Sequence, residues 1–113
     1  MKENKERKNN LVTVRISEDD MNTVSYLSES TNRSTSDTIL RACKFGLHAG
    51  DIFENAGETE QWGNIGNQKQ IHLRITDSDK RLFDDRSREF GKSMSQFVRA
   101  SIRAYCASMN DYY

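Results

Sequence analysis

The chain has 113 residues, 35% hydrophobic and 30% charged, with 17 basic and 17 acidic side chains and no proline. Its mean hydropathy is strongly negative, and the absence of any apolar run of spanning length excludes a membrane helix. The length allows one ordinary domain or two small units with a common core, because half the chain alone would bury too little surface.

The zero net charge hides a regional pattern. Residues 1–47 carry eight basic and seven acidic side chains, residues 48–68 carry Asp51, Glu54, Glu58 and Glu60 with no base, and residues 69–113 carry nine basic and six acidic. The acidity is pooled in the middle and at helix starts, and the ends are mildly basic. Two cysteines and no secretory signal argue against a disulfide framework, so Cys43 and Cys106 read as small apolar core residues and a cytoplasmic location is expected.

In chain order, residues 1–10 form a polar arm of mixed charge. It is either a solvated start or a basic arm that orders along a phosphate backbone. Residues 11–17 alternate as a half-buried strand, with Val12, Val14 and Ile16 on one face and Thr13 and Arg15 on the other. Ser17 with Asp20 three residues on is a carboxylate capping box, and Glu18 and Asp19 suit the positive end of a helix dipole. A helix to about residue 30 buries Met21, Val24 and Leu27. Asn32 then supplies a left-handed break. Ser34 or Ser36 caps a second helix carrying Ile39, Leu40, Cys43 and Leu47, which completes a unit over residues 11–48.

Residues 49–68 read as an acidic linker punctuated by Gly50, Gly57, Gly63 and Gly66. Trp62 either packs over a domain edge or anchors a partner. Residues 69–109 then repeat the first unit. Arg15, Ile16, Asp20, Ser28, Ser34 and Ser36 match Arg74, Ile75, Asp79, Ser87, Ser93 and Ser95 at one ungapped offset of 59. In this copy Gln70, His72 and Arg74 alternate with Ile71, Leu73 and Ile75. Thr76 and Asp79 cap a helix with Leu82, Phe83 and Phe90 as its apolar face, and Gly91 ends it. The last helix buries Phe97, Val98, Ile102 and Tyr105. After Arg41 and Arg99 the match drifts by one residue, leaving the register of the final helix open. Residues 110–113 are a tail.

A strand this short needs a partner, and its own repeat is the nearest one. Two such strands paired antiparallel make a ribbon that fits a DNA major groove, with apolar faces turned onto four helices. The outward residues have the right chemistry: Arg pairs with guanine O6 and N7, Gln with adenine N6 and N7, and Thr bonds a base or touches a thymine methyl. The expected base readers are Thr13, Arg15, Gln70, His72 and Arg74. Leu11 faces the same way without a hydrogen-bonding group, and base readout is not assigned to it.

The strand–helix–turn–helix order, the arginine ending each outward row (Val14-Arg15-Ile16, Leu73-Arg74-Ile75) and the helix openings Ser34-Thr35-Ser36-Asp37 and Ser93-Met94-Ser95-Gln96 resemble the ribbon-helix-helix family of the Arc and MetJ type. The resemblance covers residues 10–48 and 69–107. The single-chain tandem form is similar to plasmid-transfer proteins of the TraY type. It implies an α+β, mostly α fold: two tandem ribbon-helix-helix units sharing one two-stranded antiparallel ribbon and a four-helix core. It also implies that the amides opening each second helix bind a DNA phosphate, here at Ser34, Thr35, Ser36 and at Ser93, Met94, Ser95, with Arg33 and Lys92 adding charge.

The implied partner is double-stranded DNA, with self-association on adjacent sites and contact with a relaxase or other transfer protein as further partners. Three roles follow: a repressor of a plasmid or phage operon, a relaxosome accessory at a conjugative transfer origin, or an antitoxin-like interaction module using the linker and Trp62. No cofactor is expected. No ligand pair among His48, His72, Cys43 and Cys106 has metal-site spacing. The carboxylates cluster where capping explains them, so no catalytic group is assigned.

Overall fold

The computed structural model describes residues 10–49 and 68–110. The order is β1 (Asn10–Ser17), α1 (Glu18–Thr31), α2 (Thr35–His48), β2 (Gln68–Ile75), α3 (Asp77–Glu89) and α4 (Met94–Asn110). The described residues are thus mostly helical, with one two-stranded antiparallel sheet. Each strand begins slightly earlier than the alternation alone suggests, taking in Asn10 on one side and Gln68 and Lys69 on the other. The linker with Trp62, most of the N-terminal arm and residues 111–113 lie outside the described residues, as does any extension of the second helix beyond Ala49. No described helix is long and apolar enough to cross a membrane.

The capping chemistry expected from the sequence is present. Ser17 Oγ accepts from the Asp20 amide at 3.1 Å, and the Ser17 amide donates to the Asp20 carboxylate at 3.4 Å. Thr76 Oγ1 accepts from the Asp79 amide at 3.0 Å. Ser34, not Ser36, caps α2 and accepts from the Asp37 amide at 3.0 Å. Both first helices end the same way. Asn32 (φ 58°) and Gly91 (φ 67°) take the left-handed conformation, and the next amides, of Arg33 and Lys92, reach back to the carbonyls of Ser28 and Ser87, each at 2.9 Å.

The two halves share one core. Val14, Ile16, Val24, Ile39, Leu40 and Cys43 from the first half are buried with Leu73, Ile75, Phe83, Phe97, Val98 and Ile102 from the second. Burial raises the pKa of the Cys43 thiol well above its ordinary value, with the nearby Asp79 charge adding to the effect. The helix starts resolve the register of the last helix. The first intrahelical bonds, Thr38 to Ser34 and Phe97 to Ser93, stand 59 apart and each opens an unbroken helix, so the repeat runs on without drift.

Four burial expectations need correction. Met21 of α1 is only partly buried, packed against the edge of the core. Leu82 is 50% exposed because Phe83 and Ser87 hold the inward stripe of α3, and Leu82 lies about 100° around the helix from Phe83. Tyr105 is only partly buried, its ring stacked at a tilt on Phe45 with centroids 5.7 Å apart. Cys106 is also only partly buried, unlike Cys43.

Candidate nucleic-acid interface

The strand register defines the surface. Leu11 pairs with Arg74, Thr13 with His72, and Arg15 with Gln70. All six side chains are exposed, whereas Val14, Ile16, Leu73 and Ile75 on the opposite face are buried and Val12 and Ile71 partly so. The five residues expected to read bases therefore lie on one outward face, with Leu11 as the sixth member. Thr13 and His72 are equivalent positions in the two halves, so an approximate two-fold axis passes between them. Arg15 and Arg74 lie on opposite sides of that axis, about 13 Å apart along the ribbon, given a rise near 3.4 Å per residue.

The face is basic and its arginines are unengaged. Among the described residues, neither the Arg15 nor the Arg74 guanidinium has an acidic or hydrogen-bonding partner. Several other arginines are taken: Arg33 and Arg41 hold Asp37 at 3.4 and 3.1 Å, and Arg86 and Arg88 pair with Glu89 and Asp85. At the centre, Thr13 Oγ1 and His72 Nδ1 are hydrogen-bonded at 3.0 Å. Nε2 is then the ring nitrogen that this contact leaves available. It donates if Thr13 donates to Nδ1, and accepts in the neutral ring if Nδ1 carries the proton.

The starts of α2 and α4 make the second part of the site. The first intrahelical bonds run from Thr38 to Ser34 at 3.0 Å and from Phe97 to Ser93 at 2.9 Å. The amides of Thr35, Ser36, Met94 and Ser95 thus precede the ladder and have no carbonyl four residues back to bond within the helix. The two capping serines are occupied. Ser93 Oγ accepts from the Gln96 amide at 3.2 Å while its own amide donates to Gln96 Oε1 at 2.9 Å. Arg33 is exposed and Lys92 partly buried.

One contact that no local sequence signal announces joins the two parts. The Arg15 amide, on a strand edge without a ladder partner, donates to Ser95 Oγ at 3.0 Å. The opening of α4 is thereby held beside the Arg15 end of the ribbon. The helix starts are not identical. Asp37 sits in the first turn of α2, and the hydrogen bond from Arg41, with the charge of Arg33, holds its carboxyl below the ordinary aspartate range. The equivalent place in α4 is the neutral Gln96.

Among the described residues no group of His, Cys, Asp or Glu side chains is arranged to hold a metal ion. A shallow surface groove along α3, lined by Asp77, Lys80, Arg81, Asp84, Asp85 and Arg88, has a volume near 320 Å³. Its charges are largely spent on local ion pairs, such as Lys80 with Asp84 at 2.9 Å.

No protein-family model, curated protein or solved structure matches the chain.

Proposed function

We propose that this protein is a sequence-specific double-stranded DNA-binding protein that inserts its two-stranded ribbon into the major groove. In this reading the two strand–helix–helix halves are tandem ribbon-helix-helix units, and the protein represses transcription of a plasmid or phage operon. The observation that carries the proposal is the outward face itself. Two arginines without described partners, a glutamine, and a Thr–His pair stand on one narrow antiparallel ribbon whose other face is buried. A ribbon of this width enters the major groove, and these side chains match the donor and acceptor edges presented there. The separation of Arg15 and Arg74, about 13 Å, spans about four base-pair rises.

Arg33 with the amides of Thr35 and Ser36, and Lys92 with those of Met94 and Ser95, are suited to grip phosphates on either side of the groove. Such contacts orient the protein without reading sequence. The relaxosome role would use the same face, and the position of the bound site separates the two: a promoter for the repressor, a transfer origin for the accessory. The interaction-module reading depends on the linker and Trp62, outside the described residues.

The test is selection of duplexes from a random pool, followed by titration of variants on the selected site. Arg15→Ala and Arg74→Ala should each lose about 1–3 kcal/mol of specific binding and relax preference at one base pair. Lys92→Ala should weaken all duplexes alike and lower the salt slope by about one. Wild-type behaviour of both arginine variants would remove the ribbon from the role of reader.

A further inference from the structure

We infer that the ribbon recognises a non-palindromic site and docks on it in one orientation, with Leu11 acting as a specificity residue through a thymine methyl. The inference rests on the duplex-binding proposal above and deepens it.

The argument starts from the register. The approximate two-fold axis runs between Thr13 and His72, so the two ends of the ribbon are equivalent by position. A chain with matching residues at those ends would read an inverted repeat. This chain does not have them. One end presents Arg15 beside its cross-strand partner Gln70, and the other presents Arg74 beside Leu11. Leu11 occupies the position equivalent to Gln70, and it is 56% exposed although apolar. Leu11 is thus an exposed leucine on a polar, basic face.

The chemistry of the two ends differs accordingly. Arg15 and Gln70 together satisfy a guanine and a neighbouring adenine, each by two parallel hydrogen bonds. Arg74 can take a guanine, but Leu11 offers no hydrogen bond. Set beside adenine it would leave the N6 and N7 groups unpaired and desolvated, a penalty. Set beside thymine it covers the C5 methyl, an apolar contact in the major groove. The favoured neighbour is therefore adenine at one end and thymine at the other. The flanks differ in the same sense: the Arg15 end abuts the neutral opening of α4 through Ser95, whereas the opening of α2 carries Asp37.

The experiment compares three duplexes by fluorescence anisotropy, using the full chain: the site selected from a random pool, and two palindromes made by duplicating either half of it. Wild type should bind the selected site about tenfold or more tightly than either palindrome, in line with the cost of a mismatched base pair. Leu11→Gln, which makes the two ends alike, should reverse this. It should gain about tenfold on the palindrome built from the Arg15–Gln70 half and lose a similar factor on the original site, with an unchanged melting temperature. A selected site that is itself a palindrome, or Leu11→Gln leaving the three affinities in their wild-type order, overturns the inference while leaving duplex reading intact. Selection of no sequence at all overturns the base-reading proposal, and this one with it.

Discussion

Single residues in this molecule carry their roles through what they touch and what they lack. Arg15 and Arg74 were legible as outward-facing from alternation alone, because a period of two places them opposite Val14, Ile16, Leu73 and Ile75. Their lack of a described acidic partner was not legible, since it depends on where the acids of distant helices fall. Ser101 is a different case. It is fully buried and its hydroxyl has no hydrogen-bond partner among the described residues. The equivalent position in the first half is Ala42, also buried. A buried hydroxyl without a partner costs about 1–3 kcal/mol relative to an apolar group of the same shape. Ser101→Ala is therefore expected to raise stability by about 1 kcal/mol, read as a higher denaturation midpoint at unchanged m-value. A lower midpoint would show that the hydroxyl is engaged in solution.

At the scale of elements, the turns and caps were the most legible parts, because each is set by chemistry within five residues. The Ser17–Asp20 box and the left-handed Asn32 and Gly91 appear where the sequence places them. Gly91 has open space around a would-be Cβ, so the cost of Gly91→Ala comes from backbone conformation alone. That substitution should lower stability by about 1–2 kcal/mol, the penalty of an alanine held in the left-handed region. Asn32→Gly at the equivalent turn should be neutral or slightly stabilising in the same thermal melt. Strand register was less legible. Slipping one strand along the other by two or by four residues keeps every side chain on its face, so alternation also permits, at a slip of four, a Leu11–Gln70 or an Arg15–Arg74 centre. The last would set two arginines directly opposite each other, which is destabilising. The observed Thr13–His72 centre avoids this and closes with a hydrogen bond.

At the scale of the whole molecule, two ion-paired ties cross between the halves among the described residues, and they are unequal. Asp20 of α1 accepts from Arg99 at 2.8 Å and Arg103 at 3.1 Å on α4, with Asp20 and Arg99 side chains each only 4% exposed. At the equivalent position Asp79 of α3 meets Lys44 of α2 at 3.8 Å, a longer pair in which the lysine is 59% exposed and the aspartate 18%. No local pattern links Asp20 to Arg99, 79 residues away, so this tie was invisible in the sequence. Removing one partner of a buried pair costs about 3–5 kcal/mol, whereas an exposed pair contributes about 0–1 kcal/mol. Arg99→Ala is thus expected to destabilise far more than Lys44→Ala in denaturant titrations. Burial pushes the Asp20 carboxyl toward a higher pKa, but the bonds and charge of Arg99 and Arg103 outweigh this and hold it below the ordinary aspartate value. With the folded pKa lowered, the stabilisation is complete above the ordinary aspartate range. It is lost as pH falls from there through the lowered folded value. The stability advantage of wild type over Asp20→Asn should therefore hold from neutrality down to about pH 4 and shrink below it. A constant difference across that window would separate the carboxylate from the tie between halves.

These levels meet in the claim that the ribbon's outer face lies in a major groove with its arginines on guanine edges. The most direct measurement replaces each guanine of the selected site, one at a time, by 7-deazaguanine, which lacks the N7 acceptor and keeps the minor-groove edge. For the two guanines contacted by Arg15 and Arg74, wild type should lose about 1–3 kcal/mol, and the matching alanine variant should show no further loss. Undiminished binding at every substituted position would contradict the account.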